Sequence, residues 1–435
     1  MKTLIKKIIP KNSLQYYHKG MSLLGALVYN NPSKDMIVIG VTGTNGKSTT
    51  VSLISKALEA GGDKVGAMST VSFKIAGEEK LNDKKMTMLG RFQLHKYMKR
   101  MVDAGCKYAV IETSSEGIKQ FRHLGINYDY VVFTNLTPEH IESHGSFENY
   151  KNAKGELFKH LTKKPIKTLN GKKIPKVIIA NKDDKYVDYF MSFNANRKIN
   201  YSIENNSDFQ ASNVQVSLSG TSYSILNKEV QLKLIGEFNV YNSLPAIVIA
   251  EEEGLDLEKV IENLNKVEVV PGRMEMIDEG QKFSVMVDYA PEPYSMKALY
   301  KTIKRVLPED KKIIHVLGSC GGGRDKARRP ILGKMAGTVA DIVIIANEDP
   351  YNDDPNEIIN DVSAGAIEAG KELNTDLYKI EDRKEAIAKA LSLANENDLV
   401  LVTGKGSEQA MAVADGQYIP WDDREVIREW LKNNI

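Results

Sequence analysis

The stretch Ile37-Val38-Ile39-Gly40-Val41-Thr42-Gly43-Thr44-Asn45-Gly46-Lys47-Ser48 joins a β-branched run to a glycine-rich turn, and a helical pattern follows to Ala60. In such a strand–loop–helix, glycines let backbone N–H groups converge on phosphate oxygens, and the helix N-terminus adds positive charge. Lys47 would reach the outer phosphates, and the Ser48 hydroxyl would bind Mg²⁺. The stretch therefore predicts an ATP-binding phosphate loop in an α/β domain. The residues expected to contact ATP there are Gly43, Thr44, Asn45, Gly46, Lys47, Ser48 and Thr49.

The composition is that of a folded protein of ordinary charge. The chain has 435 residues, of which 42% are hydrophobic and 27% charged, and a formal net charge of +2. This length predicts two or three domains, and the small net charge argues against a strongly basic nucleic-acid binder. Two cysteines, Cys106 and Cys320, cannot form a disulfide framework, which fits a reducing compartment. We therefore expect a cytoplasmic, monomeric protein that acts on small molecules and not on nucleic acid.

The N-terminal segment, from Met1 to Lys34, is basic and then mildly apolar. Its longest apolar stretch, Met21 to Val28, is interrupted by Ser22 and Gly25. A bilayer span needs about 20 apolar residues, so no transmembrane segment is expected here. An amphipathic helix that packs on the protein is favoured over one that lies on a membrane surface.

Apolar runs that end in polar residues recur along the chain, as expected for parallel strands buried on both faces. Tyr108–Glu112 and Tyr130–Asn135 follow this pattern before Pro271-Gly272 interrupts the chain. The region from Tyr201 to Leu234 predicts short antiparallel strands, and Gly236 to Asn265 predicts helix. The strands predicted after the interruption are Ser284–Val287, Ile313–Leu317, Ile342–Ile345 and Leu399–Val402.

These patterns predict an α/β protein, with a phosphate-loop ATPase domain on a parallel sheet and a C-terminal Rossmann-like α/β domain. The predicted boundaries are a short helical segment at 1–35, a central ATP-binding domain at 36–270 and a C-terminal domain at 271–435.

Several polar residues near the predicted strand ends are candidates for chemistry. Glu112 closes a strand and His140 follows Pro138-Glu139, so both are plausible Mg²⁺ ligands, although a solvated acid and a capping histidine are ordinary alternatives. Lys154 shares a helix face with Tyr150 and would by itself be interpreted as a solvated lysine. Basic residues of the second unit could clamp phosphates or carboxylates, or could be a surface charge run. They are Arg273, Arg324, Lys326, Arg328 and Arg329, with Asp288 and Asp325 among them.

Ordered motifs make the sequence resemble a Mur ligase from Ile39 to Trp430, most closely the branch that adds the third residue of the peptidoglycan stem peptide. The motifs are Thr42-Gly43-Thr44-Asn45-Gly46-Lys47-Ser48, Glu112-Thr113-Ser114-Ser115, Thr134-Asn135-Leu136, His140 through His144-Gly145, Ala153-Lys154, Phe238-Asn239-Val240-Tyr241-Asn242, Val270-Pro271-Gly272-Arg273-Met274-Glu275, Val287-Asp288-Tyr289-Ala290, Gly322-Gly323-Arg324-Asp325-Lys326, Arg329-Pro330 and Gly404-Lys405-Gly406.

The resemblance implies that ATP phosphorylates a substrate carboxylate and that the amine of an amino acid then displaces phosphate. It assigns catalysis to Lys47, Glu112, His140 and Lys154. It assigns Mg²⁺ to Ser48, Glu112, His140 and a carbamylated Lys154. It adds Asn239, Asn242, Arg273 and Asp288 to the ATP contacts. It assigns contacts with the nucleotide-sugar peptide to Thr87, Ser114, Gln120 and Arg122. It assigns contacts with the incoming amino acid to Arg329, Asp349, Gly404 and Glu408.

Three departures from the family pattern qualify the resemblance. Only 1–35 precedes the loop, where the family has an N-terminal UDP-binding domain, so we expect an altered or lipid-linked acceptor or a second chain that holds UDP. Tyr351 stands where the diaminopimelate-adding branch has an arginine, and the acidic run Asn352-Asp353-Asp354-Pro355 favours an amine tail such as that of lysine. Pro291-Glu292-Pro293 and Ser407 also differ from the family. The alternatives are a ligase that adds glutamate to folate or builds a poly-amino acid, and an inactive nucleotide-binding scaffold.

Overall fold

The structure, a computed structural model, describes residues 11–139, 141–308, 310–323 and 326–435. Its β-strands are β1 (Ile37–Thr42), β2 (Val65–Met68), β3 (Ser72–Ile75), β4 (Glu78–Leu81), β5 (Tyr108–Glu112), β6 (Tyr130–Phe133), β7 (Lys167–Leu169), β8 (Lys172–Ile174), β9 (Val177–Asn181), β10 (Arg197–Ser202), β11 (Phe209–Gln210), β12 (Ser212–Ser217), β13 (Gly220–Ile225), β14 (Lys228–Leu232), β15 (Glu275–Ile277), β16 (Ser284–Asp288), β17 (Ile313–Leu317), β18 (Ile342–Ile345), β19 (Leu377–Lys379), β20 (Leu399–Thr403), β21 (Ala410–Val413) and β22 (Gln417–Pro420).

The α-helices lie between and around these strands. They are α1 (Lys11–Val28), α2 (Lys47–Leu58), α3 (Arg91–Asp103), α4 (Ser115–Lys119), α5 (Ile141–His144), α6 (Phe147–Leu161), α7 (Val187–Met191), α8 (Phe238–Glu252), α9 (Leu257–Asn265), α10 (Pro293–Val306), α11 (Arg328–Val339), α12 (Pro355–Glu368), α13 (Arg383–Leu393) and α14 (Asp423–Asn434).

The first sheet has nine strands in the order β11-β10-β9-β6-β1-β5-β2-β3-β4. Its antiparallel pairs are β2–β3 and β3–β4, and the other neighbouring strands are parallel. Side chains of β1 alternate between two apolar layers, with Ile37, Ile39 and Val41 on one side and Val38 on the other. Both faces are buried because helices cover each of them, α2, α8 and α9 on one face and α3 and α6 on the other. β1 and β5 end side by side, so the phosphate loop and Glu112 meet at one edge.

The second sheet has six strands in the order β15-β16-β20-β17-β18-β19, and all pairs but β15–β16 are parallel. Its apolar residues again form a layer on each face. A tight turn connects the two sheets: the Arg273 N–H donates to the Val270 carbonyl at 3.0 Å, and Gly272 has φ +65°. The predicted α/β fold class is confirmed, whereas the exact domain boundaries stay predictions.

Two local predictions were wrong in part. In the region from Tyr201 to Leu234, only strands β12, β13 and β14 pair antiparallel. The last residues of β10, and the whole of β11, instead extend the parallel first sheet. The helix expected from Gly236 to Asn265 is two helices: Gly254 has φ +71° and ends the first, and Asp256 caps the second by accepting from the Glu258 N–H. Glycine in the left-handed region and an aspartate cap are ordinary helix boundaries.

Helix α1 packs on the first sheet's side of the molecule through small residues. Ser22, Gly25 and Ala26 are buried, and the Ser22 hydroxyl donates to the Phe121 carbonyl at 2.7 Å. The opposite face of the helix exposes apolar side chains, among them those of Leu23 and Leu27. Within the part of the chain that the structure describes, no helix is long and apolar enough to cross a membrane.

Candidate nucleotide and ligation site

The phosphate loop is shaped by close packing at its glycines. A Cβ on Gly43 would lie 1.9 Å from the Thr134 hydroxyl, and one on Gly46, which has φ +79°, would lie 2.1 Å from the Asn242 amide oxygen. The Asn45 N–H donates to the Asn135 side chain at 2.9 Å, which ties the loop to the residues after β6. Gly46 then caps α2, so the free N–H groups of the first turn open toward the loop.

Two lysines converge on this loop. The Lys47 ammonium donates to the Thr44 carbonyl at 2.6 Å, and the Lys154 ammonium donates to the Gly43 carbonyl at 2.6 Å. Lys154 is only 1% exposed and lies over the Tyr150 ring. Burial, reinforced by the nearby Lys47 charge, holds the pKa of Lys154 well below its usual value. A neutral amine reacts with CO₂ whereas an ammonium does not, so this environment suits a lysine that becomes a carbamate.

Glu112 is held beside the phosphate loop by three groups. Its carboxylate accepts from the Ser48 hydroxyl at 2.8 Å, from the Thr70 N–H at 2.7 Å and from the Thr70 hydroxyl at 3.1 Å. The Thr70 hydroxyl also lies 2.9 Å from the Thr87 hydroxyl, so the predicted metal ligand and a predicted substrate contact are connected. Sequence patterns missed Thr70, which lies in a turn after β2 without any motif.

The donor set fits Mg²⁺ in kind. Hard cations prefer oxygen, and Ser48 and Glu112 supply a hydroxyl and a carboxylate, to which a carbamate on Lys154 would add further oxygens. Among the described residues, no group of three His, Cys, Asp or Glu could hold a metal ion without such an addition. The predicted ligand His140 lies outside the described residues.

A cavity of about 870 Å³ opens between the two sheets, with the phosphate loop, Glu112 and Lys154 on one wall. The opposite wall carries Arg273 and Asp288, and the Arg273 guanidinium stacks over the Tyr289 ring at 4.6 Å. The Asp288 carboxylate accepts from the Met274 N–H at 2.7 Å and the Ala290 N–H at 2.9 Å, which fixes this wall. Burial raises the pKa of Asp288 although Arg273 opposes the shift.

A hydrogen bond joins the two walls directly. The Asn45 side-chain amide donates to Glu292 at 3.0 Å, and Glu292 also caps α10 by accepting from the N–H groups of Tyr294 and Ser295. Glu292 was noticed in the sequence only as a departure from the family pattern. Its position gives that departure a structural role, since it connects the phosphate loop to the second sheet's side.

The predicted nucleotide and peptide contacts divide into residues that line the cavity and residues behind it. Asn242 lines it, whereas Asn239 lies behind and donates to the Ile235 carbonyl and accepts from Asn242. Arg122 also lines the cavity, and its guanidinium donates to the side-chain oxygen of Gln120, which does not line it. The remaining predicted residues on the cavity wall are Thr49, Thr87 and Ser114.

The predicted amino-acid contacts are brought together only in part. Asp349 and Glu408 lie together, while Gly404 packs against Glu348, since a Cβ there would lie 2.3 Å from the Glu348 carboxylate. Arg329 does not face the cavity: it is 1% exposed and pairs with Asp361 at 2.9 Å and Asp353 at 3.3 Å.

Arg328, the neighbour of Arg329 in the chain, lines the cavity instead. The expectation that the acidic run at 352–355 favours an amine tail stays a prediction. Asp353 is paired with Arg329, and Asp354 caps α12 by accepting from the Asn356 N–H.

Comparison with known proteins gives family-level similarity over both sheets. Residues 41–250 match the model of the Mur ligase middle domain, and residues 272–406 match that of the Mur ligase, glutamate ligase domain. The chain is 36% identical over 419 residues to a UDP-N-acetylmuramoyl-L-alanyl-D-glutamate--2,6-diaminopimelate ligase of Geobacillus kaustophilus, covering 95% of this chain and 82% of the relative.

It is 39% identical over 431 residues to a UDP-N-acetylmuramyl-tripeptide synthetase of Treponema denticola, covering 95% of this chain and 79% of that protein. A solved structure of a UDP-N-acetylmuramoyl-L-alanyl-D-glutamate--2,6-diaminopimelate ligase superposes with a TM-score of 0.60 at 29% identity, over 92% of this chain and 79% of the other.

Proposed function

Because the chain belongs to the Mur ligase family, whose members are ATP-dependent ligases that form C–N bonds, we propose that it adds a diamino acid to a muramoyl-L-Ala-D-Glu acceptor. L-lysine is the first candidate, because Tyr351 offers no guanidinium for a second carboxylate. The observation that carries the proposal is the convergence of Lys47, Glu112 and the buried Lys154 on the phosphate loop, across the cavity from Arg273 and Asp288.

The proposed reaction has two steps. An oxygen of the acceptor carboxylate attacks the γ-phosphorus of ATP and ADP leaves, which gives an acyl phosphate. The amine of the amino acid then attacks the acyl carbon, loses a proton and expels inorganic phosphate. Phosphoryl transfer depends mainly on positioning and charge neutralisation, which the loop N–H groups and Lys47 supply.

The remaining residues position the reactants. Mg²⁺, held by Ser48, Glu112 and carbamylated Lys154, would neutralise phosphate charge. Arg273 and Asp288 would contact the nucleotide from the opposite wall. Thr87, Ser114 and Arg122, which line the cavity, would orient the acceptor toward the loop. We further propose that the protein acts as a monomer in the cytoplasm, and that the three domains have the boundaries predicted at 35/36 and 270/271.

The test is a phosphate-release assay with ATP, Mg²⁺, UDP-MurNAc-L-Ala-D-Glu and, one at a time, L-lysine, meso-diaminopimelate and L-glutamate. We expect amino-acid-dependent phosphate and a tripeptide product by mass spectrometry with a diamino acid, and neither with Lys47→Ala. No amino-acid-dependent phosphate in any combination would contradict the proposal, and activity on folate alone would favour the glutamate-adding alternative.

A further inference from the structure

Four charged side chains form a closed cluster at the cavity wall, which two of them, Lys85 and Glu408, line. The Lys85 ammonium lies 2.5 Å from Asp349 Oδ2 and 3.4 Å from Glu408 Oε2. The Lys405 ammonium lies 2.9 Å from Asp349 Oδ1 and 2.7 Å from Glu408 Oε2. Two carboxylates are therefore balanced by two ammonium groups, in a place where the side chain of Lys85 is only 8% exposed.

The two lysines differ in how firmly they are held. Lys405 uses three hydrogen bonds, because it also donates to the Ala410 carbonyl at 2.7 Å, and it is completely buried. Burial alone would lower its pKa, but Glu408 and Asp349 outweigh burial and raise it. Lys85 is different: burial and repulsion from Lys405 outweigh the two carboxylates, and its pKa is lowered. The protein thus stabilises the Lys405 cation and does not fully repay the desolvation of the Lys85 cation.

The two lysines also come from different parts of the chain. Asp349, Lys405 and Glu408 follow strands β18 and β20 of the second sheet, whereas Lys85 lies between β4 and α3, on the first sheet's side. Its backbone has φ +49°, a conformation that a residue with a side chain seldom adopts. The residues just after it, Met86, Thr87 and Met88, line the cavity together with Glu408.

We propose that Lys85 occupies the place of the side-chain ammonium of the incoming diamino acid, and that this amino acid must displace it to bind. The proposal rests on the proposed function and refines its substrate class. Lys85 ends in an ammonium on a four-carbon stem, as L-lysine does. Only an amino acid with its own side-chain cation restores the charge balance of Asp349 and Glu408 once Lys85 has left. Lys85 is thereby a specificity-determining residue, because only a cationic side chain competes with it for Asp349 and Glu408.

Calorimetric titration of the full chain with L-lysine and with L-norleucine, its uncharged counterpart, tests this. If Lys85 fills the site about nine-tenths of the time, Lys85→Met should tighten L-lysine binding about tenfold, since apparent affinity scales with the vacant fraction. L-Norleucine binding should stay unchanged, because its side chain ends before the ammonium position and does not compete with Lys85. Lys84→Met is the matched control, because the neighbouring Lys84 is exposed and pairs only with Asp83 among the described residues.

The outcomes separate displacement from a structural role. Weaker L-lysine binding by Lys85→Met, an equal change for L-norleucine, or no L-lysine binding by any variant would overturn the proposal. Binding is measured without ATP or acceptor, so a failure to ligate a muropeptide is a separate result that bears only on the proposed function.

A second measurement uses the unmodified chain and does not depend on a variant that folds. Amine acetylation followed by mass spectrometry reports the exposure of each lysine. Saturating L-lysine should raise the labelling of Lys85 at least about threefold, while L-norleucine should not and Lys405 should stay protected under both conditions. Unchanged Lys85 labelling at saturating L-lysine would show that the two ammonium groups do not compete.

Discussion

The Lys154 amine lies in the protein interior beside a second lysine, with the Gly43 carbonyl as its hydrogen-bond acceptor. An ammonium in that environment is destabilised by lost hydration and by repulsion from Lys47. A carbamate has the opposite charge, so Lys47 and a bound cation would attract it. The residue is therefore poorly placed as a cation and well placed as an anion.

Replacement of Lys154 by alanine tests the anionic role. We expect ligation to fall about a hundredfold or more, the size of loss seen when a preorganised electrostatic group is removed from a transition state. Acetate or another short carboxylate should restore part of the rate. Phosphate release measures both effects. Lys159→Ala, which removes an exposed lysine of the same helix, is the control and should keep the full rate. A Lys154→Ala enzyme of undiminished activity would remove Lys154 from the mechanism.

The lowered pKa of Lys154 also predicts a pH dependence of stability. Between the lowered pKa of the folded chain and the ordinary value of 10.5, the Lys154 amine is protonated more often in the unfolded chain than in the folded chain. The free energy of unfolding therefore rises with pH in this range. Lys154→Met removes this contribution. In CO₂-free buffer, we expect the stability gain of the variant over the natural chain to shrink from pH 7 to pH 10, as measured by urea unfolding. A gain independent of pH would contradict this.

At the residue scale, the sequence predicted which side chains lie at the loop better than it predicted which way they face. Lys47 and Glu112 were named from their positions next to predicted strand ends, and Lys154 through the family resemblance. The structure brings all three to the loop, while their roles stay predictions. Arg329 was chosen although its neighbour Arg328 lines the cavity, since adjacent positions at a helix start cannot be distinguished without the packing of α11 against α12. Thr70 and Lys85 were missed because irregular segments carry no periodicity that would indicate their partners.

Helix α10 depends on an acidic residue that has two tasks. Glu292 caps the helix through the Tyr294 and Ser295 N–H groups and accepts from Asn45 of the phosphate loop. Burial raises the pKa of Glu292, and the nearby Glu139 carboxylate raises it further. A cap stabilises the helix, whereas the Asn45 contact positions the loop, and the two tasks need different side-chain lengths.

Substitutions of Glu292 separate these tasks. Glu292→Ala loses both the cap and the Asn45 hydrogen bond and should lower the free energy of unfolding by about 2 kcal/mol, whereas Glu292→Asp loses only the hydrogen bond and should lower it by about 1 kcal/mol. Both should raise the KM for ATP about fivefold, because aspartate is too short to reach Asn45 and a lost hydrogen bond costs about 1 kcal/mol. Urea unfolding and initial rates measure the two effects. Equal destabilisation by both variants would indicate that the cap is not what Glu292 contributes.

Elements were predicted well where a strand is buried on both faces or a glycine interrupts the chain. β5, β17 and β20 were found almost to the residue because continuous apolar runs end in polar ones. The alternating pattern near Tyr201 was misassigned, since the order of strands in a sheet depends on tertiary pairing. Only the register of β10 with β9 shows that this strand extends the parallel sheet.

The whole molecule brings two sheets to the walls of one cavity. The phosphate loop stands on one wall and Arg273 on the other, so a nucleotide between them would contact both. Sequence motifs indicated this arrangement only through the family resemblance. No pattern in the sequence itself states that residues more than 200 positions apart, such as Asn45 and Glu292, are in contact.

Nucleotide binding should therefore stabilise both halves. A non-hydrolysable ATP analogue with Mg²⁺ at a hundred times its Kd should raise the free energy of unfolding by about 2.7 kcal/mol. We expect every transition in differential scanning calorimetry to move to higher temperature. Lys47→Ala should abolish the shift, and Lys56→Ala, on the exposed side of α2, should preserve it. A shift confined to one of two transitions would place the nucleotide on a single wall.

The turn at Val270–Met274 has a consequence for how the second substrate is used. Gly272 packs so closely that a Cβ would lie 2.1 Å from the Ser407 nitrogen, and its N–H donates to Glu275 at 2.8 Å. These contacts fix the turn to the second half, and the hydrogen bond from the Arg273 N–H to the Val270 carbonyl closes it, so the connection between the two halves is short. In the proposed reaction, an amine bound on one half would meet the activated carboxyl of the other at a high effective concentration, set by geometry and not by diffusion. A modest affinity for the free amino acid would then be enough for attack by the amine to be faster than hydrolysis of the acyl phosphate.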